Sequence, residues 1–339
     1  MGGAPSSYRI PSIPTTENYV AILSGRKRGR ALSRLATAAI AVALAGTAAG
    51  TSYAADNPGS AAQNAVQGAP QAPTSAPKAI TSGTAGTGST GNAANPIFTL
   101  FGVESSGATY VYDVDGSGKY TARQKVDDLG DVRANQQAVD NDADGIGDGV
   151  WLWEPGGDLY FSNDATPDSV RIGGGWNTYD KVLSPGNLGG AKEYDIIARD
   201  RSGVLWLYLG YPDGKVTART KVGAGWQIYD QIAGKGDLTG DGKPDLIARE
   251  KATGDLYLYK GTGNASAPFA ARQKIGTGWG GYNALLSSGD VNLDGKTDFI
   301  ARDGSGRLFA YYGTGNAASP YQARVQIGTG WNIYTKLFS

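Results

Sequence analysis

The sequence predicts an all-β fold: a five-bladed β-propeller of four-stranded blades, with the first blade closed by the C-terminal strand. Three observations predict it. A Gly-Trp motif recurs about every 50 residues, each period holds four short strand patterns, and the two ends of the repetitive region complement one another.

The Gly-Trp motif has four intact copies, IGGGWNTYD, VGAGWQIYD, IGTGWGGYN and IGTGWNIYT. Their tryptophans are Trp176, Trp226, Trp279 and Trp331, so the spacings are 50, 53 and 52 residues. A fifth, degenerate copy lies in ARQKVDDLG, around Val126. A period of this size indicates a repeat architecture.

Each period reads as four strands of about five residues joined by turn-forming residues. In one period these are DLIAR, DLYLY, ARQKI and YNALL. Apolar side chains alternate to both sides in the Leu/Tyr strand, which suits a sheet covered on both faces by neighbouring blades.

The ends of the repetitive region predict that the ring closes. IFTLFG, from Ile97, aligns with the second strand of a unit, and the terminal YTKLFS aligns with the first strand. The C-terminal strand is therefore expected to complete the first blade, which removes an exposed sheet edge.

Three segments are predicted along the chain. Residues 1–54 form an extended secretory signal, with a basic stretch at Arg26–Arg34, an apolar stretch at Ala36–Ala45 and cleavage after Ala54. A membrane anchor is the alternative for this stretch. Residues 55–95, rich in Ala, Gly, Ser, Thr and Pro, form a disordered linker, and residues 96–339 form the propeller. We expect a secreted, extracellular, monomeric protein with no stable membrane span.

Composition excludes several kinds of chemistry. The chain has no histidine and no cysteine. This excludes disulfides, thiol catalysis and histidine acid–base catalysis, and it removes the usual ligands of zinc, copper and iron. Oxygen ligands remain, which suit calcium or magnesium. Of 31 basic and 31 acidic residues, residues 1–54 hold six and one, which leaves 25 against 30 and an acidic mature chain. That balance argues against nucleic acid as a partner.

Three Asp-rich loops, here called the first, second and third Asp loops, carry candidate metal ligands at positions 1, 3, 5 and 9. A backbone carbonyl at position 7 is a further candidate in each. The first loop offers Asp140, Asp142, Asp144, Ile146 and Asp148; the second offers Asp237, Thr239, Asp241, Lys243 and Asp245; the third offers Asp290, Asn292, Asp294, Lys296 and Asp298.

Converging oxygens in a flexible loop favour Ca²⁺ over Mg²⁺. Position 12 holds Trp151, Ala248 or Ala301 instead of the glutamate of an EF-hand. The corresponding loop NLGGAKEYD, residues 187–195, has lost the carboxylates at positions 1, 3 and 5, so we expect it to bind no metal. The alternative for all these loops is that Asp, Asn and Gly are ordinary turn residues.

The repeated GDxxxDGxxDxIAR pattern resembles the FG-GAP/VCBS repeat of secreted bacterial proteins and integrin heads. The IGxGWxxY element resembles tachylectin-type five-bladed propellers. The resemblance covers roughly residues 96–339 and strengthens the expectation of calcium in the loops. Integrin heads have seven longer blades, so nothing about their partners is carried over.

The function predicted is a non-enzymatic binding module for a carbohydrate or another cell-surface ligand, because no unrepeated acidic residue stands out as catalytic. The alternatives are a protein-interaction module and an accessory module of an extracellular hydrolase system. The candidate ligand contacts are Trp176, Trp226, Trp279, Trp331, Arg199, Arg249 and Arg302. The tryptophans could instead be wedges between blades, and the arginines could be buried partners of the carboxylates.

Overall fold

The computed structural model describes residues 95–126, 135–143, 145, 147–163 and 166–339. The predicted signal, nearly all of the predicted linker, Asp144, Ile146 and the degenerate motif beyond Val126 therefore lie outside the described residues. The described part of the chain contains no helix that is long and apolar enough to cross a membrane.

The described chain is built from short strands, in agreement with the all-β prediction. In chain order the strands are β1 (Leu100–Glu104), β2 (Thr109–Tyr112), β3 (Gln124–Val126), β4 (Asn135–Val139), β5 (Gly149–Trp153), β6 (Leu159–Asn163), β7 (Thr166–Gly173), β8 (Tyr179–Gly186), β9 (Asp195–Asp200), β10 (Leu205–Tyr208), β11 (Thr220–Gly223), β12 (Tyr229–Ala233), β13 (Leu246–Glu250), β14 (Leu256–Tyr259), β15 (Gln273–Gly276), β16 (Tyr282–Gly289), β17 (Asp298–Asp303), β18 (Leu308–Tyr311), β19 (Val325–Gly328) and β20 (Tyr334–Phe338).

These strands form five four-stranded antiparallel sheets, which confirms the predicted five-bladed propeller. The sheets are β20-β1-β2-β3, β4-β5-β6-β7, β8-β9-β10-β11, β12-β13-β14-β15 and β16-β17-β18-β19, here called blades one to five. The first strands of successive blades contact one another in a closed circle, β4, β8, β12, β16, β20 and back to β4. They therefore line the axis of the ring, and the fourth strand of each blade lies at its rim.

Blade one is closed by the C-terminal strand, as predicted. Strand β20 pairs antiparallel with β1, with Phe101 opposite Phe338. The rings of these two residues stack with their centroids 5.1 Å apart. The Thr335 hydroxyl adds a bond of 3.0 Å to the Val103 carbonyl. Residues more than 200 positions apart in the chain thus share one sheet.

The antiparallel order of each blade gives the ring two distinct ends. Connections from first to second strand and from third to fourth strand lie at one end, here called the Asp-loop end. The second-to-third turns and the connections between blades lie at the other, the Trp-turn end. Each intact Gly-Trp motif forms a single 3₁₀ turn there: Trp176–Thr178, Trp226–Ile228, Trp279–Gly281 and Trp331–Ile333. The glycine before each turn has a positive φ, as at Gly225 (φ 87°), which explains why the motif requires glycine.

The segment 95–98 crosses the Asp-loop end before β1 begins. The Ile97 amide donates to the Gly145 carbonyl of the first Asp loop at 3.0 Å, and the Asp290 amide of the third loop donates to the Pro96 carbonyl at 3.0 Å. The side-chain amide of Asn95 donates to the Gly295 carbonyl. The start of the ring is thereby bound to the Asp loops of two blades.

Candidate metal loops and the two rings of arginines

The first Asp loop brings three carboxylates together. Oxygen atoms of Asp140, Asp142 and Asp148 all lie within 4.8 Å of one another, and no other trio of acidic residues in the described ranges is so close. Asp140 is 2% exposed and accepts the Gly145 amide at 3.0 Å, while Asp142 is exposed. Carboxylate oxygens converging in this way are ligands that suit a hard divalent cation.

In the second and third loops the position-1 carboxylates hold their own loop backbone. Asp237 accepts the amides of Gly240 and Gly242, each at 2.6 Å. Asp290 accepts the amides of Asp294 and Gly295, at 3.1 and 2.7 Å. Position 3 joins the same networks, because the Thr239 hydroxyl lies 3.5 Å from Asp237 and Asn292 accepts the Asp294 amide at 3.2 Å.

Lysine ammonium groups lie beside the position-5 carboxylates of these two loops. Lys260 Nζ is 3.7 Å from Asp241 Oδ2, and Lys296 Nζ is 3.4 Å from Asp294 Oδ2. These carboxylates also accept the backbone amides of Lys243 and Lys296, at 3.2 and 3.0 Å. A cation bound there would compete with the ammonium group. The role of the Lys243 and Lys296 carbonyls as ligands stays a prediction.

The position-9 aspartate has the same structural role in three loops. In each, one oxygen accepts the amide of loop position 2 and the other accepts a glycine amide from the third-to-fourth connection of the same blade. The residues are Asp195 with Leu188 and Gly210, Asp245 with Leu238 and Gly261, and Asp298 with Val291 and Gly313. Because Asp195 does this in the loop that lost its other carboxylates, the residue holds the two connections together independently of any metal.

Burial raises the pKa of Asp195, Asp245 and Asp298 to about 7 in spite of these amide donors. In the second and third loops, neighbouring aspartates at positions 1 and 5 raise the pKa further. Ionised carboxylates at these positions repel one another, and a bound divalent cation would reduce that repulsion.

The four motif tryptophans are buried between blades, with exposed fractions of 6% for Trp176, 0% for Trp226, 4% for Trp279 and 8% for Trp331. Each packs on a tyrosine in the third strand of the following blade. Trp226 and Tyr259, for example, have ring centroids 4.5 Å apart. A ring this buried offers no face to a sugar, so these positions fit the wedge alternative and not the predicted ligand contact.

Each of the three candidate arginines joins its own blade to the next one. Arg249 holds Asp230 of its own blade through Nε and Nη2, at 2.8 and 2.6 Å. Its Nη1 donates to the carbonyls of Trp279 and Tyr282 in the next Trp turn. Arg199 does the same with Asp180, Trp226 and Tyr229. Arg302 donates through Nη1 to Trp331 and Tyr334, but its Nε contacts Asn283, at 2.8 Å. Arg199 and Arg249 therefore match the alternative in which the arginines are partners of carboxylates within the protein.

A second ring of arginines, which the sequence motifs did not indicate, lies near the rim. In four blades a guanidinium lies over an aromatic ring of the third strand, at 4.0–4.5 Å from its centroid. These four pairs, here called the rim platforms, are Arg123 with Tyr110, Arg219 with Trp206, Arg272 with Tyr257 and Arg324 with Phe309. Phe309 is buried, whereas the other three rings are half-buried. The repeated dipeptide Ala-Arg before the fourth strand is the signal that could have revealed them.

Three of the rim arginines also bond to a tyrosine hydroxyl of the first strand, and Arg123 forms an ion pair with Glu104 at 3.2 Å. Arg219, Arg272 and Arg324 donate to Tyr179, Tyr229 and Tyr282, at 3.2, 2.7 and 2.5 Å. The guanidinium is thereby held in place while part of it stays exposed. A held guanidinium beside a half-exposed ring can offer hydrogen-bond donors and an apolar surface to one ligand.

Comparison with known proteins finds one sequence family. The FG-GAP-like repeat family matches residues 237–301, which include the second and third Asp loops. No curated protein sequence matches the chain.

Several solved structures share a distant similarity. The fucose-binding six-bladed lectin of Aleuria aurantia is 15% identical with a TM-score of 0.39, covering 69% of this chain and 79% of the lectin. The calcium-binding regucalcin of Agrobacterium tumefaciens is 13% identical with a TM-score of 0.36, covering 68% and 75%. Prp20p of Saccharomyces cerevisiae is 10% identical with a TM-score of 0.33, and the match covers 68% of this chain and 62% of Prp20p, less than two thirds of its length. These similarities are too distant to indicate a ligand or an activity.

Proposed function

We propose that this chain is a secreted, calcium-stabilised β-propeller that acts as a non-enzymatic binding module, with carbohydrate at a cell surface or on a polymer as its ligand. The observation that carries the proposal is the repetition of the rim platforms on one ring. Three of them combine a half-buried aromatic ring with a guanidinium that is held by a tyrosine hydroxyl or, for Arg123, by Glu104.

Aromatic faces pack against the C–H surface of a sugar, and a guanidinium donates to its hydroxyl oxygens. Weak sites repeated on one scaffold gain avidity for a polymer that reaches two of them at once. The rim platforms replace the buried tryptophans as the proposed contacts.

Binding to immobilised polysaccharides tests this. Replacing Trp206 and Tyr257 together with alanine should abolish most of the binding, while the protein keeps a cooperative melting transition. Val325→Ala is the control, because Val325 lies on the rim strand β19 and is 40% exposed but belongs to no platform. If the parent protein binds no polysaccharide, the ligand class is wrong and a protein-interaction or accessory-module role takes its place.

Calcium is the metal that we propose for the Asp loops, with a structural role. Asp140, Asp142 and Asp148 would hold it in the first loop, where the carboxylates converge. The second and third loops would bind more weakly, since ammonium groups already contact Asp241 and Asp294. Bound calcium would supply positive charge among these carboxylates and so stabilise the folded ring by linkage.

Equilibrium dialysis of the protein at millimolar calcium should find two or three bound ions, and chelator should lower the melting temperature. Asp142→Asn should remove the tightest ion. Asp213→Asn is the control, because Asp213 is an exposed aspartate outside the Asp loops. No bound calcium, or no effect of chelator on melting, would leave these loops as ordinary turns.

A further inference from the structure

The guanidinium of Arg302 lacks the carboxylate that its counterparts have. In blade three Arg199 contacts both oxygens of Asp180, at 2.8 and 3.1 Å. In blade four Arg249 contacts both oxygens of Asp230, at 2.8 and 2.6 Å. Blade five has Asn283 at this position, and Arg302 contacts only its Oδ1.

Two N–H donors are left beside one another as a result. Arg302 donates through Nε to Asn283 and through Nη1 to two carbonyls, and its Nη2 has no acceptor among the described residues. Since Asn283 Oδ1 takes the place of one carboxylate oxygen, its Nδ2 takes the place of the other, next to Nη2. This amide nitrogen also has no acceptor in the described part of the chain.

Among the described residues, no acidic side chain compensates the charge of Arg302. Asp303, the adjacent residue, uses its oxygens for the Ser305 hydroxyl and for Arg307 Nε, at 2.8 and 2.7 Å. Thr335, which holds the corresponding position in blade one, donates to the Val103 carbonyl. Arg302 is only 9% exposed, and a buried cation without a counter-charge is costly.

The space beside Arg302 Nη2 and Asn283 Nδ2 is open to solvent. Asn283 is exposed, and both residues lie at the Trp-turn end, where β16 begins and β17 ends. The segment 95–98 packs at the opposite end of the ring. A ligand can therefore approach the two donors directly.

We propose that Arg302 and Asn283 form a carboxylate-binding site, in which the ligand bridges Arg302 Nη2 and Asn283 Nδ2. A planar carboxylate is the group that the protein itself supplies to Arg199 and Arg249. The ligand class is a sugar acid, such as a uronic acid, and only this step from a carboxylate to a sugar rests on the proposed carbohydrate-binding function.

The test is thermal melting of the full chain with glucuronate, acetate, glucose or chloride at constant ionic strength. The melting temperature of the parent protein should rise with glucuronate and with acetate, but not with glucose or chloride. A response to glucuronate beyond that to acetate identifies the sugar acid as the source of the carboxylate. Asn283→Asp supplies an internal carboxylate, so it should melt higher without ligand and weaken the apparent affinity for glucuronate at least tenfold.

Asp230→Asn is the matched variant in blade four. It recreates the pair of free donors beside Arg249, so the response to both carboxylates should become larger than in the parent protein. Equal responses of the parent protein and Asn283→Asp would overturn the site. A response to acetate without any bound polysaccharide supports the site and contradicts the proposed function. If acetate does not raise the melting temperature, and Asn283→Asp leaves polysaccharide binding unchanged, the result supports the proposed function and contradicts the site.

Discussion

The hydroxyl of Tyr321 donates to the Ile275 carbonyl at 2.7 Å, and its ring packs edge-on against Trp279 at the boundary of blades four and five. At the boundary of blades three and four, Phe269 holds the position of Tyr321, since each residue bridges to the equivalent glycine of its loop. The indole nitrogen of Trp226, which packs in the same cluster as Phe269, is buried and has no partner.

Phe269→Tyr should therefore stabilise the protein. The new hydroxyl would give the buried Trp226 N–H an acceptor, and a buried hydrogen bond contributes about 1 kcal/mol to the free energy of unfolding. Urea unfolding measures the change. Tyr321→Phe is the reciprocal variant, and it should lose a similar amount because it removes the bond to the Ile275 carbonyl. If Phe269→Tyr leaves stability unchanged or lowers it, the two boundaries are not equivalent.

Trp226→Ala tests the wedge. This ring is fully buried between two blades, so its removal should leave a cavity and cost roughly 3–5 kcal/mol of unfolding free energy. Trp206→Ala serves as the comparison, because that ring is half-buried and should cost clearly less. Urea unfolding of the two variants measures the difference. Equal losses of unfolding free energy would argue against a wedge at Trp226.

Deleting residues 331–339 should unfold the whole ring. The deletion removes β20, the innermost strand of blade one, together with the Trp331 wedge between blades five and one. We expect loss of the cooperative melting transition, whereas fraying of an independent tail would leave it intact. A shortened protein that melts like the parent would show that closure contributes nothing to stability.

Stability should depend on pH through Asp195, whose pKa burial raises from 3.8 to about 7. Between about pH 4 and pH 7 the folded state keeps a proton that the unfolded state has released. Stability is therefore highest below this window and falls as the pH rises through it, by at most about 1.4 kcal/mol per pH unit for one group.

Asp195→Asn should reduce this pH dependence of the unfolding free energy by the contribution of one group. Urea unfolding in chelator-containing buffers at pH 5, 6 and 7 measures the change. Asp195 lies in the loop without the other candidate ligands, so its effect is separate from that of calcium at the Asp loops. An unchanged slope in the variant would mean that Asp195 is ionised throughout this range.

The blade count and the closure were predictable because both depend on local patterns. The spacing of Trp176, Trp226, Trp279 and Trp331 sets the period, and the alignment of IFTLFG and YTKLFS with different strands implies a shared blade. The direction of the tryptophan rings was not predictable from the motif. The same Gly-Trp turn could place its ring inward or outward, and only packing against residues such as Tyr259 decides it.

The arginine sites depend on contacts between strands, which the order of residues does not reveal. Arg302 and Asn283 are 19 residues apart on neighbouring strands, and Arg302 also reaches the next blade. The sequence shows that Asn283 stands where the previous repeat has Asp230. It does not show that Arg302 contacts this position, so the loss of a carboxylate partner could not be predicted. The rim platforms were missed for the same reason, because Arg219 meets Trp206 only across two paired strands.

The passage of residues 95–98 across the Asp-loop end has a mechanical consequence. A pull on the chain that precedes Asn95 is transmitted to the backbones of Gly145, Asp290 and Gly295 before it reaches β1. These three residues lie in two loops on different blades, so the force is divided between them and does not peel β1 away from β20. Calcium in those loops would make this anchorage stiffer.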